Sequence, residues 1–170
     1  MPPGRWRPAY VGIGSNLADP AAQVLRARTA LEALPESGWF AHSGLWRSEP
    51  VGPGNQPDYV NACSGFVTRL GPHELLGRLK RLEREAGRTP GERWGPRILD
   101  LDLLVLGAFV LDDAGLTLPH PRAAERNFVL LPLAEIAPYL TVPGRGSVAR
   151  LLGAVSRTNP GIERIGAGRE

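Results

Sequence analysis

Cysteine is nearly absent from this chain. Cys63 is the only one, so no disulfide can form within it, and a cysteine-rich zinc centre is excluded. Lysine is as scarce: Lys80 stands alone, and the net charge of +3 comes from arginine. The flat guanidinium fork suits phosphate and carboxylate, so this mild basicity admits an anionic partner without demanding nucleic acid. No uninterrupted run of about 18 apolar residues exists to span a bilayer. The opening MPPGRWRPAY lacks the apolar centre of a secretory signal. With a free thiol, these absences lead us to expect a cytoplasmic protein that does not enter a membrane.

Several catalytic signatures are missing too. GIGSNL (12–17) begins like a dinucleotide fingerprint, but Leu17 stands where the third glycine belongs. HELLG (73–77) lacks the second histidine of a zinc-protease helix, and neither a P-loop nor a G-x-S-x-G elbow occurs.

What remains is ordinary for a globular chain: 170 residues, 42% hydrophobic and 22% charged. That suits one domain over 1–170, with the proline-rich residues 1–8 as a loose tail. AYVGIG (9–14) reads as a strand. Asp19 and Pro20 make a helix start, Val24, Ala27, Leu31 and Leu34 give that helix its apolar stripe, and Pro35 ends it. WFAHSGLWRS (39–48) reads as a strand, EPVGPGNQPD (49–58) as a loop, and YVNACSGFVTRL (59–70) as the return strand. Pro72 opens a second helix, with Leu75, Leu76, Leu79, Leu82 and Ala86 on one side and Gly87 as its stop. GRTPGERWGP (87–96) is a second loop, ILDLDLLVL (98–106) the strongest strand, and LPHPRAAERN (118–127) a third loop. FVLLPLAEIA (128–137) reads as a short helix despite Pro132, SVARLLGAVS (147–156) as a last one, and the C-terminus frays. The order is β-α-β-β-α-β: an α+β, ferredoxin-like antiparallel sheet with helices packed on it, plus C-terminal helices and short strands.

The informative stretch is RWGPRILDLDLLVL (93–106). In a strand, residues i and i+2 share a face, so Asp100 and Asp102 project together while Leu99, Leu101 and Leu103 point the other way. Two carboxylates so close repel unless a cation lies between them. Mg2+ suits the position, because it takes one or two carboxylates and completes its shell with water and phosphate oxygens. Arg88, Arg93 and Arg97 enter this strand, and Arg122 and Arg126 lie on the later loop. An acid pair among arginines is a physical signature of phosphoryl transfer; two solvated acids, or a salt-bridge network, would read the same way in sequence. Tyr59 and Asn61 form a second i, i+2 pair, suited to stacking on a flat heterocycle and reading its edge, or simply to strand packing. His120 is fixed between Pro119 and Pro121, for a phosphate contact or for a turn. Trp94 is either a core aromatic or a lid.

Taken together, YVGIGSNL, SEPVGPGNQPDYVNA, LKRLEREAGR, RWGPRILDLDLLVLG and LPHPRAAERNFVLLPLAEIAP resemble the 6-hydroxymethyl-7,8-dihydropterin pyrophosphokinases of folate biosynthesis, in that family's order, over residues 10–140. The resemblance implies transfer of the β,γ-diphosphate of ATP to the pterin's hydroxymethyl oxygen, with AMP leaving. By position it implies that Asp100 and Asp102 hold two Mg2+ ions, and that Arg88, Arg97 and Asp100 are catalytic. ATP contacts would fall to Lys80, Glu83, Arg88, Arg97, Ile98, His120 and Pro121. The pterin pocket would be made by Ser48, Val51, Gly52, Tyr59, Asn61, Trp94, Arg126 and Phe128, with Tyr59 and Phe128 sandwiching the ring. Partners are then the two small substrates, with no nucleic acid and no membrane, for a monomer or weak homo-oligomer. Thr89, Pro90 and Gly91 stand where the resembled family carries further basic residues, so those cationic contacts to ATP are lacking. The competing class is a ferredoxin-like RNA-binding module. Against it, the arginines sit beside acids that would repel a nucleic-acid backbone, and no strand carries the expected aromatics.

Overall fold

The computed structural model describes residues 4–52, 54–88 and 97–166. Its central sheet is built outward from β1 (Arg7–Ser15). On one side β1 pairs with β5 (Asp100–Leu106), and on the other with β4 (Tyr59–Thr68), both antiparallel. Beyond β4 lie β2 (Ser37–His42) and β3 (Leu45–Ser48). Helices α1 (Pro20–Glu32) and α2 (Pro72–Glu85) connect β1 to β2 and β4 to β5. The strand order β3-β4-β1-β5 is the ferredoxin-like arrangement. Asp19 starts α1 as expected, its carboxylate accepting from Ala22 N at 3.3 Å, a cap that contributes about 1 kcal/mol. Gly87 follows α2 with φ +97°, a conformation that favours glycine.

The sheet is covered on both faces. Val24, Ala27 and Leu31 of α1 and Leu75 and Leu79 of α2 bury Val11, Ile13, Ala62, Leu101 and Leu103. On the opposite face, α3 (Asn127–Ile136) lies with Leu133 against Tyr10, Cys63 and Leu104. This double cover is why β4 is buried along nearly its whole length and alternates less in composition than a one-faced strand. Two short hairpins follow β5: β6 (Leu111–Asp113) with β7 (Leu116–Leu118), and β8 (Thr141–Val142) with β9 (Gly146–Ser147). Helix α4 (Val148–Gly153) comes next and β10 (Ile162–Gly166) is last.

Three expectations are corrected. Residues 39–48 are not one strand. The ladder breaks at Ser43 and Gly44, where Ser43 N donates to Cys63 O at 2.8 Å, its hydroxyl accepts from Cys63 N at 2.8 Å, and its carbonyl accepts from the buried Arg28. Gly44 lies so close to β10 that a Cβ there would stand 2.3 Å from Gly166 O. The stretch at 162–166 does not fray: β10 pairs with β3, Ile162 opposite Ser48 and Glu163 opposite Arg47. Within the start, residues 4–8 are held rather than loose: Arg7 and Pro8 already belong to β1, Arg69 Nε donates to Gly4 O at 3.2 Å, and the Arg69 guanidinium covers the Trp6 ring.

Candidate active site

A strip of missing side chains makes the site. On the α3 face, β1 presents Gly12 and Gly14 where neighbouring strands present functional groups. In register, Asp100, Gly14 and Asn61 form one row across the sheet, and Asp102, Gly12 and Cys63 the next. Adjacent strands lie about 4.8 Å apart, so Asp100 and Asn61 face each other over a glycine gap of about 10 Å. A Cβ at Gly14 would point into that gap, 3.7 Å from Asn61 Oδ1 and from the Tyr59 ring.

The acid end is held by α2 and a bulge. Glu83, buried on α2, accepts from Leu101 N at 2.9 Å, the amide between the two aspartates, and from the Arg88 guanidinium. Arg88 also donates to Asp100 Oδ1 at 2.9 Å. The β1–β5 register skips Leu104, and a bulged residue re-aims its neighbours. The Leu104 carbonyl accepts from His120 N at 2.8 Å, which brings His120 Nε2 to 3.9 Å from Asp102 Oδ1.

At the other end Asn61 is fixed by its own amide hydrogens, one on Ser48 Oγ at 2.7 Å and one on Trp46 O at 3.2 Å. Its Oδ1 is left as the acceptor offered to the gap. The walls there are Tyr59 and Phe128, with the Arg126 guanidinium 5.5 Å from the Phe128 ring centre. Asn16 closes the back. Its Nδ2 donates to Pro57 O at 3.1 Å and to Gln56 Oε1 at 3.3 Å, its Oδ1 accepts from Arg97 N at 2.8 Å, and its own N donates to Arg97 O at 3.0 Å. One side chain thus joins β1, the 49–58 loop and the entry to β5.

Two cavities meet over this floor. The first, of about 330 Å3, takes Ser48, Val51, Tyr59, Asn61, Arg126 and Phe128 into its lining. The second, of about 770 Å3, takes Lys80, Glu83 and Arg84 of α2 and Leu116 and Thr117 of β7. Arg88, Arg97, Asp100, Asp102, His120 and Pro121 line both, so they form the shared wall.

Residues 10–138 match the family described as 7,8-dihydro-6-hydroxymethylpterin-pyrophosphokinase. The chain belongs to this family. It is 45% identical over 156 residues to the 2-amino-4-hydroxy-6-hydroxymethyldihydropteridine pyrophosphokinase of Pseudomonas aeruginosa, covering 92% of this chain and 95% of that one. The enzyme of the same name from Haemophilus influenzae is 41% identical over 144 residues, covering 85% and 90%. Among solved structures, wild-type Plasmodium falciparum HPPK-DHPS with pterin and p-hydroxybenzoate superposes with a TM-score of 0.68 at 13% identity, covering 90% of this chain and 44% of that one. That likeness is one of fold, and this chain spans less than half of the Plasmodium chain.

Most of the residues that resemblance to the pyrophosphokinases picked out are brought together here, and the exceptions have physical reasons. Ile98 lines neither cavity; its Cδ1 lies under the end of α2, 3.6 Å from where a Cβ on Gly87 would stand. Gly52 lines neither, and Val51 before it supplies that wall. Glu83 reaches the larger cavity, and its Oε2 accepts from both Leu101 N and Arg88. Trp94 and Arg93 lie outside the described residues. Sequence reasoning passed over Gly12, Gly14 and Asn16, although GIGSN carried all of them, because a glycine's open side shows only once its strand neighbours are known.

Charge is finely divided in this candidate site. Burial, then the charge of Asp100, pushes the Asp102 carboxyl up to about 7. Burial, then Arg126, pushes His120 down to about 4. Its Nδ1 accepts from Arg122 N at 3.2 Å, so neutral His120 offers Nε2–H as a donor and adds no charge. Among the described residues no cluster of three acidic, histidine or cysteine side chains would cage a metal. Mg2+ needs no such cage, and two oxygen donors beside a cavity sized for a polyphosphate fit it.

Proposed function

We propose that the joined cavities transfer the β,γ-diphosphate of ATP to the hydroxymethyl oxygen of 6-hydroxymethyl-7,8-dihydropterin and release AMP, with pterin in the smaller cavity and nucleotide in the larger. Family membership carries the reaction. The assignment of the two ends rests on one observation: the acid pair and the arginines stand in the shared wall, between an aromatic pocket and a basic one.

Asp100 and Asp102 would hold two Mg2+ ions, which would supply positive charge against the triphosphate. Asp100 shares its row with Asn61, so it is the acid placed to accept a hydrogen bond from the attacking hydroxyl. Arg88 pairs with both Asp100 and Glu83 in the shared wall, and its remaining N–H groups are donors for the phosphates. Arg97, held at its backbone by Asn16, works with it on charge spreading over the transferred oxygens. His120 Nε2–H adds a neutral donor. Tyr59 and Phe128 stack on the pterin, and Asn61 Oδ1 accepts from a ring N–H. Lys80 and Arg84 flank the triphosphate mouth, while Arg126 covers the pterin side and helps exclude water, whose attack would waste ATP. A cytoplasmic setting, and a monomer or weak homo-oligomer over one domain, belong to the same reading.

The test follows AMP release from ATP and Mg2+ with and without the pterin, alongside Asp100→Ala and Asp102→Ala. Pterin-dependent AMP, lost in both variants, is expected. AMP formed without pterin, or surviving in both variants, would refute the assignment.

A further inference from the structure

The 156–166 segment lies beyond the family match, which ends at residue 138, yet it touches both walls of the smaller cavity. One wall is the end of β3. There Ile162 pairs with Ser48, Glu49 N donates to Gly161 O at 3.0 Å, and Gly161 N returns a bond to Glu49 Oε2 at 3.3 Å. The other wall is the first turn of α3, which carries Phe128. That turn is weakly held from within: no side chain caps it, and Pro132 has no N–H to give the Phe128 carbonyl. Its external hold is Asn127, only 2% exposed. Asn127 Nδ2 donates to Ser156 O at 3.0 Å and to Pro160 O at 2.9 Å.

Both acceptors are carbonyls, so the amide has one workable orientation. That orientation leaves Asn127 Oδ1 buried with no hydrogen-bond partner among the described residues, which costs stability. An apolar side chain would avoid that cost but would leave the Ser156 and Pro160 carbonyls without this donor, so the asparagine is what couples α3 to the turn. The turn it grips is itself ordered, with Ser156 Oγ accepting from Thr158 N at 3.2 Å and from Asn159 N at 3.1 Å.

We infer that Asn127 is a positioning residue: through the 156–161 turn it ties the Phe128 wall to the Ser48–Glu49 wall and so sets the width of the pterin slot. This rests on the pterin assignment above. Asn127 itself touches no reacting atom. Loosening the tie weakens stacking on the pterin and leaves the nucleotide cavity, which is built on α2 and β7, as it was.

Binding is measured for 6-hydroxymethylpterin by its own fluorescence and for a non-hydrolysable ATP analogue by calorimetry, in the full chain, with Tm recorded for each variant. Asn127→Ala is expected to raise the pterin Kd about tenfold, the loss of two buried hydrogen bonds of ordinary net strength, with the analogue's Kd unchanged. Ser156→Ala loosens the same turn from its exposed side and is expected to raise the pterin Kd about threefold, the weaker effect of one buttressing hydroxyl. Arg164→Ala cuts a different tie between β10 and α3, the solvent-screened one to Glu135; it should change Tm little and leave pterin affinity unmoved. Equal pterin binding in wild type and Asn127→Ala would overturn the inference alone. So would loss of both ligands together, or a loss of pterin affinity in Arg164→Ala matching that in Asn127→Ala. Failure of the wild type to bind the pterin would overturn the pocket assignment and this inference with it.

Discussion

One face of the sheet has two halves that differ in what they give up. Under α3, Tyr10, Cys63 and Leu104 are packed and buried. Two or four residues further along the same strands stand Gly12, Gly14, Asn61, Asp100 and Asp102, with open space above them. The packed half gains apolar burial, about 1.5–3 kcal/mol for a large side chain. The open half forgoes it, and also holds two acids close enough that one is driven up to about 7 by burial and then by the other. The same backbone thus serves stability at one end and chemistry at the other, and what changes between them is which side chains are withheld.

Variants that cross that boundary should separate the two roles. The largest effect is expected from Asp102→Asn, which keeps the shape and removes one charge. kcat/KM should fall about a thousandfold, some 4 kcal/mol of barrier, while Tm stays level or rises because a like-charge repulsion is relieved. A Tm loss of comparable size would mean the acid pair is structural. Leu104→Ala is the mirror image: about 3 kcal/mol of stability is lost to a cavity, seen as a lower denaturation midpoint. Turnover per folded molecule, measured well below Tm, should hold. Gly14→Val comes third. Room for its Cβ exists and valine suits a strand, so Tm should hardly move. The side chain fills the floor, however, and should raise the pterin KM about tenfold, near 1.4 kcal/mol. An unchanged KM would show that the pterin does not lie over β1.

Much of this division was legible in the chain, and the limits are instructive. Strand alternation places Asp100 and Asp102 together whatever else the fold does, because period two is a local property. The order of strands and helices gives the sheet arrangement for the same reason. Gly12 and Gly14, by contrast, gain meaning only from register, since they matter by standing between Asp100 and Asn61. Asn16 and Asn127 act on backbone groups about 80 and 30 residues away, contacts with no local signature. The break at Ser43 and Gly44 hides for a similar cause: it is imposed by Cys63, Arg28 and the approach of β10. The stretch IERIG (162–166) is itself too short and too charged to announce a strand.

The smallest effect belongs to the seam that fastens β10 to the packed half. Glu135 of α3 accepts from Arg164 at 3.1 and 3.2 Å and from Trp46 Nε1 at 3.2 Å. Burial works against its charge, but those bonds and one from Gly44 N outweigh it and hold the carboxyl below its usual range. A carboxyl lowered on folding contributes stability that is present above its unfolded value, about 4.3 for glutamate, and is lost as pH falls through the folded one. Glu135→Gln should therefore flatten the acid side of the stability profile while changing Tm little at neutral pH, since the seam is partly open to solvent and screened. Denaturant midpoints at neutral and at acid pH, for wild type and variant, supply the comparison. Parallel acid limbs would show that the seam holds by strand pairing alone, leaving the Ser48 end of β3 secured by backbone bonds rather than by charge.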